Sequence, residues 1–240
     1  MRINFTWAVI LALALLTGSA WAGDLTDFNA AMEKASSHNR VAIGYLRTGN
    51  SDLAALEIDR MREAWGTLTS RFGKPPDAFS DQAQLYTTTL LDVSTRLVAA
   101  SIMINSGRPD AARQSLSAIR DEFSHLRKAS GIVVLADCVR DANAAMDDFF
   151  VYNDRAIDWT KPETRFGVAA KAAIYGHELA RCDAMAAAVR DNPEFRRLID
   201  GAKAGLALVP KAINSRDGDL LHRILIELRS FDNLLAFRFG

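Results

Sequence analysis

Two stretches of this chain can be laid over each other residue by residue. Gly49-Asn50-Ser51-Asp52-Leu53-Ala54 aligns with Gly107-Arg108-Pro109-Asp110-Ala111-Ala112. The same offset pairs Ile58 with Leu116, Met61 with Ile119, Arg62 with Arg120, Trp65 with Phe123 and Leu68 with Leu126. The apolar members recur at steps of three and four, which is one face of a helix. A third stretch follows more loosely, with Asp219, Leu221, Leu225, Leu228, Arg229 and Leu235 in matching places. A fourth keeps only the acid near the helix start, Glu163. The four acids Asp52, Asp110, Glu163 and Asp219 are 58, 53 and 56 residues apart. Each suits a helix N-terminus, where the backbone dipole is positive. The pattern predicts an all-α fold of four antiparallel helical hairpins, each of about 55 residues, packed as two four-helix bundles or one continuous array.

Eight helices are legible. Leu25 to Thr48 and Ser51 to Phe72 come first, and Lys74-Pro75-Pro76-Asp77 then breaks the chain. Asp81 to Asn105 is the third, and Pro109 to Ala129 the fourth, with proline suited to its first turn. The fifth is Ile132 to Asn153, where Leu135, Cys138, Ala142, Ala145, Phe149 and Tyr152 form one apolar stripe. Thr160-Lys161-Pro162-Glu163 reads as a capping box opening an alanine-rich sixth helix that runs to about Val189. Asp191-Asn192-Pro193-Glu194 caps a seventh, which Pro210 kinks or ends, and the eighth runs from Asp219 to about Phe237. A boundary near Gly131 would divide residues 23–130 from residues 131–240.

The only two cysteines, Cys138 and Cys182, lie within the fifth and sixth helices. The N-terminus explains why they should be bridged. Arg2, an apolar run from Trp7 to Leu16 and the A-x-A signal Ala20-Trp21-Ala22 predict a secretory signal peptide, residues 1–22. Export, here to the periplasm, places the thiols in an oxidising compartment that favours a disulfide. The expected reach is imperfect. Cys138 lies about 15 residues before its helix ends and Cys182 about 21 after its helix begins, a mismatch of roughly 9 Å at ~1.5 Å per residue. No apolar run after the peptide is expected to span a membrane.

Charge says little about a partner. Removing the peptide takes away Arg2 and leaves 28 basic against 29 acidic residues out of the 29 and 29 of the whole chain. That balance gives no reason to expect nucleic acid. Catalytic motifs are missing too: there is no G-x-S-x-G, Walker loop, dinucleotide fingerprint or H-E-x-x-H. Arg62, Arg120 and Arg229, in one register beside core positions, would make an anion or partner site if the hairpins brought them together. A metal site would have to draw on Asp137, His177, Glu178 and Met185 around the cysteines. Gly201 and Gly205 inside a helical pattern suit close helix packing.

The turn G-x-x-x-x-A, at Gly49 to Ala54 and again at Gly107 to Ala112, resembles the turn of a tetratricopeptide repeat, though that family's period is about 34 residues. Exported bundles of four long helices also resemble the cytochrome c-prime and b-type cytochrome architecture. That resemblance would imply a non-covalent haem or a metal, because the C-x-x-C-H attachment motif is missing. The residues themselves favour a non-enzymatic periplasmic bundle, with no predicted cofactor, that binds a partner protein or small ligand.

Overall fold

The computed structural model is all-α. It describes residues 24–154 and 156–240 with their side chains, and of residues 6–23 the backbone alone. The proposed signal peptide, residues 1–22, therefore lies outside the fully described residues. The chain divides into two compact units, residues 1–132 and 133–240.

The first unit contains α1 (Thr6–Arg47), α2 (Ser51–Arg71), a 3-10 turn (Asp77–Gln82), α3 (Ala83–Asn105) and α4 (Pro109–Ala129). α1 packs on α2 and α4, and α3 packs on the same two, so the helices form a ring in chain order with α2 and α4 on opposite corners. Repeat-related residues meet at its centre. Trp65 of α2 and Phe123 of α4 stack with ring centroids 5.4 Å apart. The indole N–H of Trp65 donates to Ser94 of α3 at 2.9 Å, which satisfies the one polar atom of that ring. One end of the bundle is closed by Phe28, Phe72, Phe79 and Tyr86. The Tyr86 hydroxyl donates to the Phe72 carbonyl at 2.7 Å, and burial pushes its pKa up.

The second unit contains α5 (Leu135–Phe150), α6 (Pro162–Met185), α7 (Pro193–Ala207), α8 (Val209–Ser215) and α9 (Gly218–Phe239). α5 packs on α6 and α9, and α7 packs on α9 and α6, which repeats the ring of the first unit. α7 and α8 together replace the single seventh helix. The break at Leu208 falls where Pro210 occupies the first turn of α8 and has no N–H to continue α7. α7 and α9 approach closely through glycine. A Cβ on Gly201 would stand 2.6 Å from Phe231 Cζ, and one on Gly205 would stand 3.0 Å from Leu228 Cδ2.

The repeat is present in the backbone. Asp52, Asp110, Glu163 and Asp219 all lie in the first turn of a helix. The preceding turns share one closure. Asn50 N–H donates to Tyr45 O at 2.9 Å across Gly49, and Arg108 N–H donates to Met103 O at 2.8 Å across Gly107. Both glycines have positive φ, at 77° and 72°. This is the Schellman ending, which satisfies carbonyls that the helix leaves over. The third copy uses the same bond, Asp217 N–H to Ala212 O at 2.9 Å. There the left-handed position holds Arg216, with φ 54°. A side chain at such a position costs about 1–2 kcal/mol. Replacing it by glycine removes that cost and adds unfolded-chain entropy of about 0.5–1 kcal/mol. Arg216→Gly is therefore expected to stabilise the second unit by about 0.5 kcal/mol, read as a higher urea midpoint at unchanged slope.

Three local expectations are corrected. α5 is shorter than Ile132 to Asn153, because Gly131 turns the chain and Val134 is extended before the helix starts. Thr160 does not cap α6. Its hydroxyl and N–H both donate to the Asp158 carboxylate, at 2.6 and 3.0 Å, so a local turn takes the group that a capping box would need. α6 stops at Met185, short of Val189, where the chain turns toward the cap at Asn192. That cap is formed as the sequence implies: the Asn192 side chain accepts from Glu194 and Phe195 N–H at 2.9 and 3.1 Å.

The Cys138–Cys182 disulfide closes the α5–α6 hairpin, with Cα atoms 5.4 Å apart. Both sulfurs are buried in the core of the second unit. The reach problem is solved by the connection. Cys138 lies 12 residues before Phe150 and Cys182 lies 20 after Pro162, so α6 overhangs α5. Residues 151–161 span the overhang, and buried Trp159, whose carbonyl accepts from Arg165 at 2.9 Å, holds that segment to the bundle.

Candidate functional site

Arg62 and Arg120 keep their common register on α2 and α4, at opposite corners of the first ring, and Arg229 holds the same register on α9 of the second unit. Arg62 is exposed on α2 and pairs with Asp59 of its own helix at 3.4 Å. Arg120 is half-buried on α4, at the opposite corner of the same ring. Arg229 belongs to the second unit and is 18% exposed.

Arg229 Nη1 lies 2.7 Å from Asp147 Oδ1 of α5 and 3.4 Å from Asp232 Oδ2 of its own helix. Its guanidinium sits 4.7 Å from the centroid of Phe150. Asn143 Nδ2 donates to Asp232 Oδ2 at 2.6 Å, so one carboxylate oxygen joins α5 to α9. Asp232 is 1% exposed. Tyr175 of α6 is fully buried, and its hydroxyl has no protein hydrogen-bond partner. Burial pushes the Tyr175 pKa well above the phenol range, and the Asp232 charge adds to this while Arg229 opposes it. The hydroxyl therefore stays protonated at neutral pH. Two further polar joints tie helices together. Asp183 of α6 accepts from Arg196 and Lys203 of α7, and the hydrogen bond from Lys203 leads the effects that hold its pKa down. His38 of α1 lies 2.7 Å from Glu57 of α2, which also pairs with Arg60. These charges are engaged between helices of their own bundle, which is the behaviour of packing-specifying polar contacts.

The sequence candidates near the disulfide lie on α5 and α6. Asp137 is buried at the start of α5, and its carboxylate accepts from the Val134 N–H at 3.4 Å. Glu178 pairs with Arg181, His177 is exposed, and Met185 is half-buried at the end of α6. The sulfurs of Cys138 and Cys182 are committed to each other. Glu122 and His125 on α4 have the Glu-x-x-His spacing of di-iron bundles, but Glu122 pairs with Arg96 at 3.0 Å and His125 is exposed. Among the described residues no group of three or more His, Cys, Asp or Glu is placed to hold a metal ion.

One face without an internal role is the outer face of α3. Its inner face, Tyr86, Thr89, Leu90, Val93, Leu97 and Ala100, is buried in the first bundle. Directly opposite, Leu91, Val98 and Ile102 are 66%, 49% and 57% exposed. Gln84, Thr88, Thr95 and Asn105 complete the exposed row. The outward face of α2 carries the exposed Leu53 and Leu56 together with Asp52, Asp59, Arg60, Arg62 and Glu63. Sequence reading also missed that Asp77–Asn105 is long and apolar enough to meet the length and composition of a membrane span. Having apolar residues on both faces explains this. The missed signal was Leu91, Val98 and Ile102, at steps of seven and four on one helical face away from the core stripe.

No family model, no curated protein and no solved structure matches this chain.

Proposed function

We propose that this is an exported, non-enzymatic helical-bundle protein that binds a partner protein through the outward face of α3. The supporting observation is that Leu91, Val98 and Ile102 are exposed along one face of a helix whose other face already fills the core. Contiguous exposed apolar surface, unlike scattered apolar residues, marks interaction sites. Export rests on Arg2, the apolar run and Ala20-Trp21-Ala22.

One experiment addresses both. In a periplasmic extract the wild-type chain should begin at or near Gly23 and sediment as a complex larger than one chain. Leu91→Lys with Ile102→Lys should sediment as a single chain. Both sites are exposed, so the melting midpoint should move by no more than the equivalent of about 0.5 kcal/mol. A chain beginning at Met1 in the membrane fraction would contradict export. A complex of unchanged size in the double variant would contradict the role of α3.

A further inference from the structure

We infer that the second unit holds an internal water molecule, bound between the Tyr175 hydroxyl of α6 and the Asp232 carboxylate of α9. The helix registers bring these two groups into one layer. The Cys138–Cys182 bridge and the Lys171–Asp148 ion pair, at 2.6 Å, fix α6 against α5. Tyr175 lies seven residues before Cys182 and four after Lys171, so it is level with the stretch of α5 between Asn143 and Asp147. The same stretch is tied to α9, through Asn143 to Asp232 at 2.6 Å and Asp147 to Arg229 at 2.7 Å. α5 and α7 each pack on both α6 and α9, so α6 and α9 stand at opposite corners of the ring. Tyr175 and Asp232, both buried, therefore approach each other across the interior of the bundle.

The buried residues that α5 and α7 contribute at this level are small. They are Ala142 and Ala145 of α5, and Ala202 of α7 between Gly201 and Gly205. Gly201 stands against Phe231, the neighbour of Asp232, which places this part of α7 in the same layer. A long side chain from α6 has room to cross there. The Tyr175 hydroxyl is fully buried, and among the described residues none forms a hydrogen bond with it. Burial first, and then the Asp232 charge, keep it protonated, so it is a donor within reach of the carboxylate's field but not bonded to it. Leaving a buried hydroxyl without any partner is costly. The group that satisfies both ends accepts from a phenol, donates to a carboxylate and occupies the space of one heavy atom, and water does all three. Its oxygen accepts the Tyr175 proton and one of its hydrogens goes to Asp232. The polar joint of Asn143, Arg229 and Asp232 then extends to α6 as well as α5 and α9.

The test counts long-lived internal waters by magnetic relaxation dispersion of isotope-labelled water, on the purified full chain with its disulfide intact. Tyr175→Phe should hold one fewer than wild type. Its urea midpoint should be lower at unchanged slope, because Asp232 loses a donor. An equal count with a lower midpoint would mean that the hydroxyl bonds the carboxylate directly, and would overturn the proposal. An equal count with a higher midpoint would mean that the hydroxyl is buried dry, and would overturn it as well. A crystal structure of the wild-type chain gives the answer without any variant. A water oxygen should lie roughly 2.6–3.2 Å from both Tyr175 Oη and an Asp232 carboxylate oxygen. Direct contact between those two groups, or an apolar side chain packed between them, would overturn the site.

Discussion

Reducing the Cys138–Cys182 bridge is expected to cost the second unit about 4 kcal/mol and to leave the unfolding of the first unit unchanged. The bond joins residues 44 apart. In the chain-entropy model a closed loop of that length removes about 4 kcal/mol of freedom from the unfolded chain. The effect should be local because each unit has its own apolar core, and both cysteines lie in the second. For a domain near 100 residues such a loss lowers Tm by on the order of 20 °C. The measurement is a thermal scan with and without reductant, followed by peptide-resolved hydrogen exchange. Residues after Val133 should lose protection, and α1 to α4 should not. Thiol counting on the unfolded, unreduced protein gives the complementary check. No reactive thiol is expected, whereas two per chain would reject the bridge.

Arg229→Met should destabilise the second unit by about 3 kcal/mol, the scale for removing one partner of a buried ion pair. The cause is the carboxylate left behind. Asp232 is almost completely buried, and in the intact protein Arg229 and Asn143 both address its Oδ2. Methionine fills much of the space beside Phe150 but supplies no charge. Adding Asp232→Asn should recover more than half of the loss. The amide oxygen still accepts from Asn143, and no buried charge remains to be compensated. Chemical denaturation of the two variants checks this. Equal stability of single and double variants would mean that the loss comes from packing on Phe150 and not from the charge.

The parts of the fold legible in the sequence were those set by local chemistry. Glycine at 49 and 107 with an acid three residues later marks a left-handed helix end and the next helix start, and both are found. The disulfide followed from two cysteines on apolar stripes. The Thr160 cap was misread because the Asp158 carboxylate, two residues before it, accepts the Thr160 N–H that Glu163 would have to accept in a capping box, and the helix starts after Lys161. The common register of Arg62, Arg120 and Arg229 is a property of the sequence repeat, and register alone does not bring side chains together. Equivalent helices in a ring point their equivalent residues to different sides, and only the tertiary arrangement tells which. Packing brings Asp147 and Phe150 of α5 to Arg229, and Asn143 of α5 to its neighbour Asp232. The outer face of α3 was hidden for the opposite reason. Its apolar residues merge with the core stripe in a sequence pattern, and only burial separates the two.

The central claim is that the outer face of α3 is covered in the working protein. A photo-crosslinking residue placed in turn at each position from 84 to 105, in cells, tests it most directly. Adducts should peak at 88, 91, 95, 98 and 102 and fall away between them, giving a repeat of about 3.5 residues. Control positions on the outward face of α2, such as Arg60, Glu63 and Thr67, should give few. Adducts with no periodicity along α3, or equal yields from α2, would contradict the account.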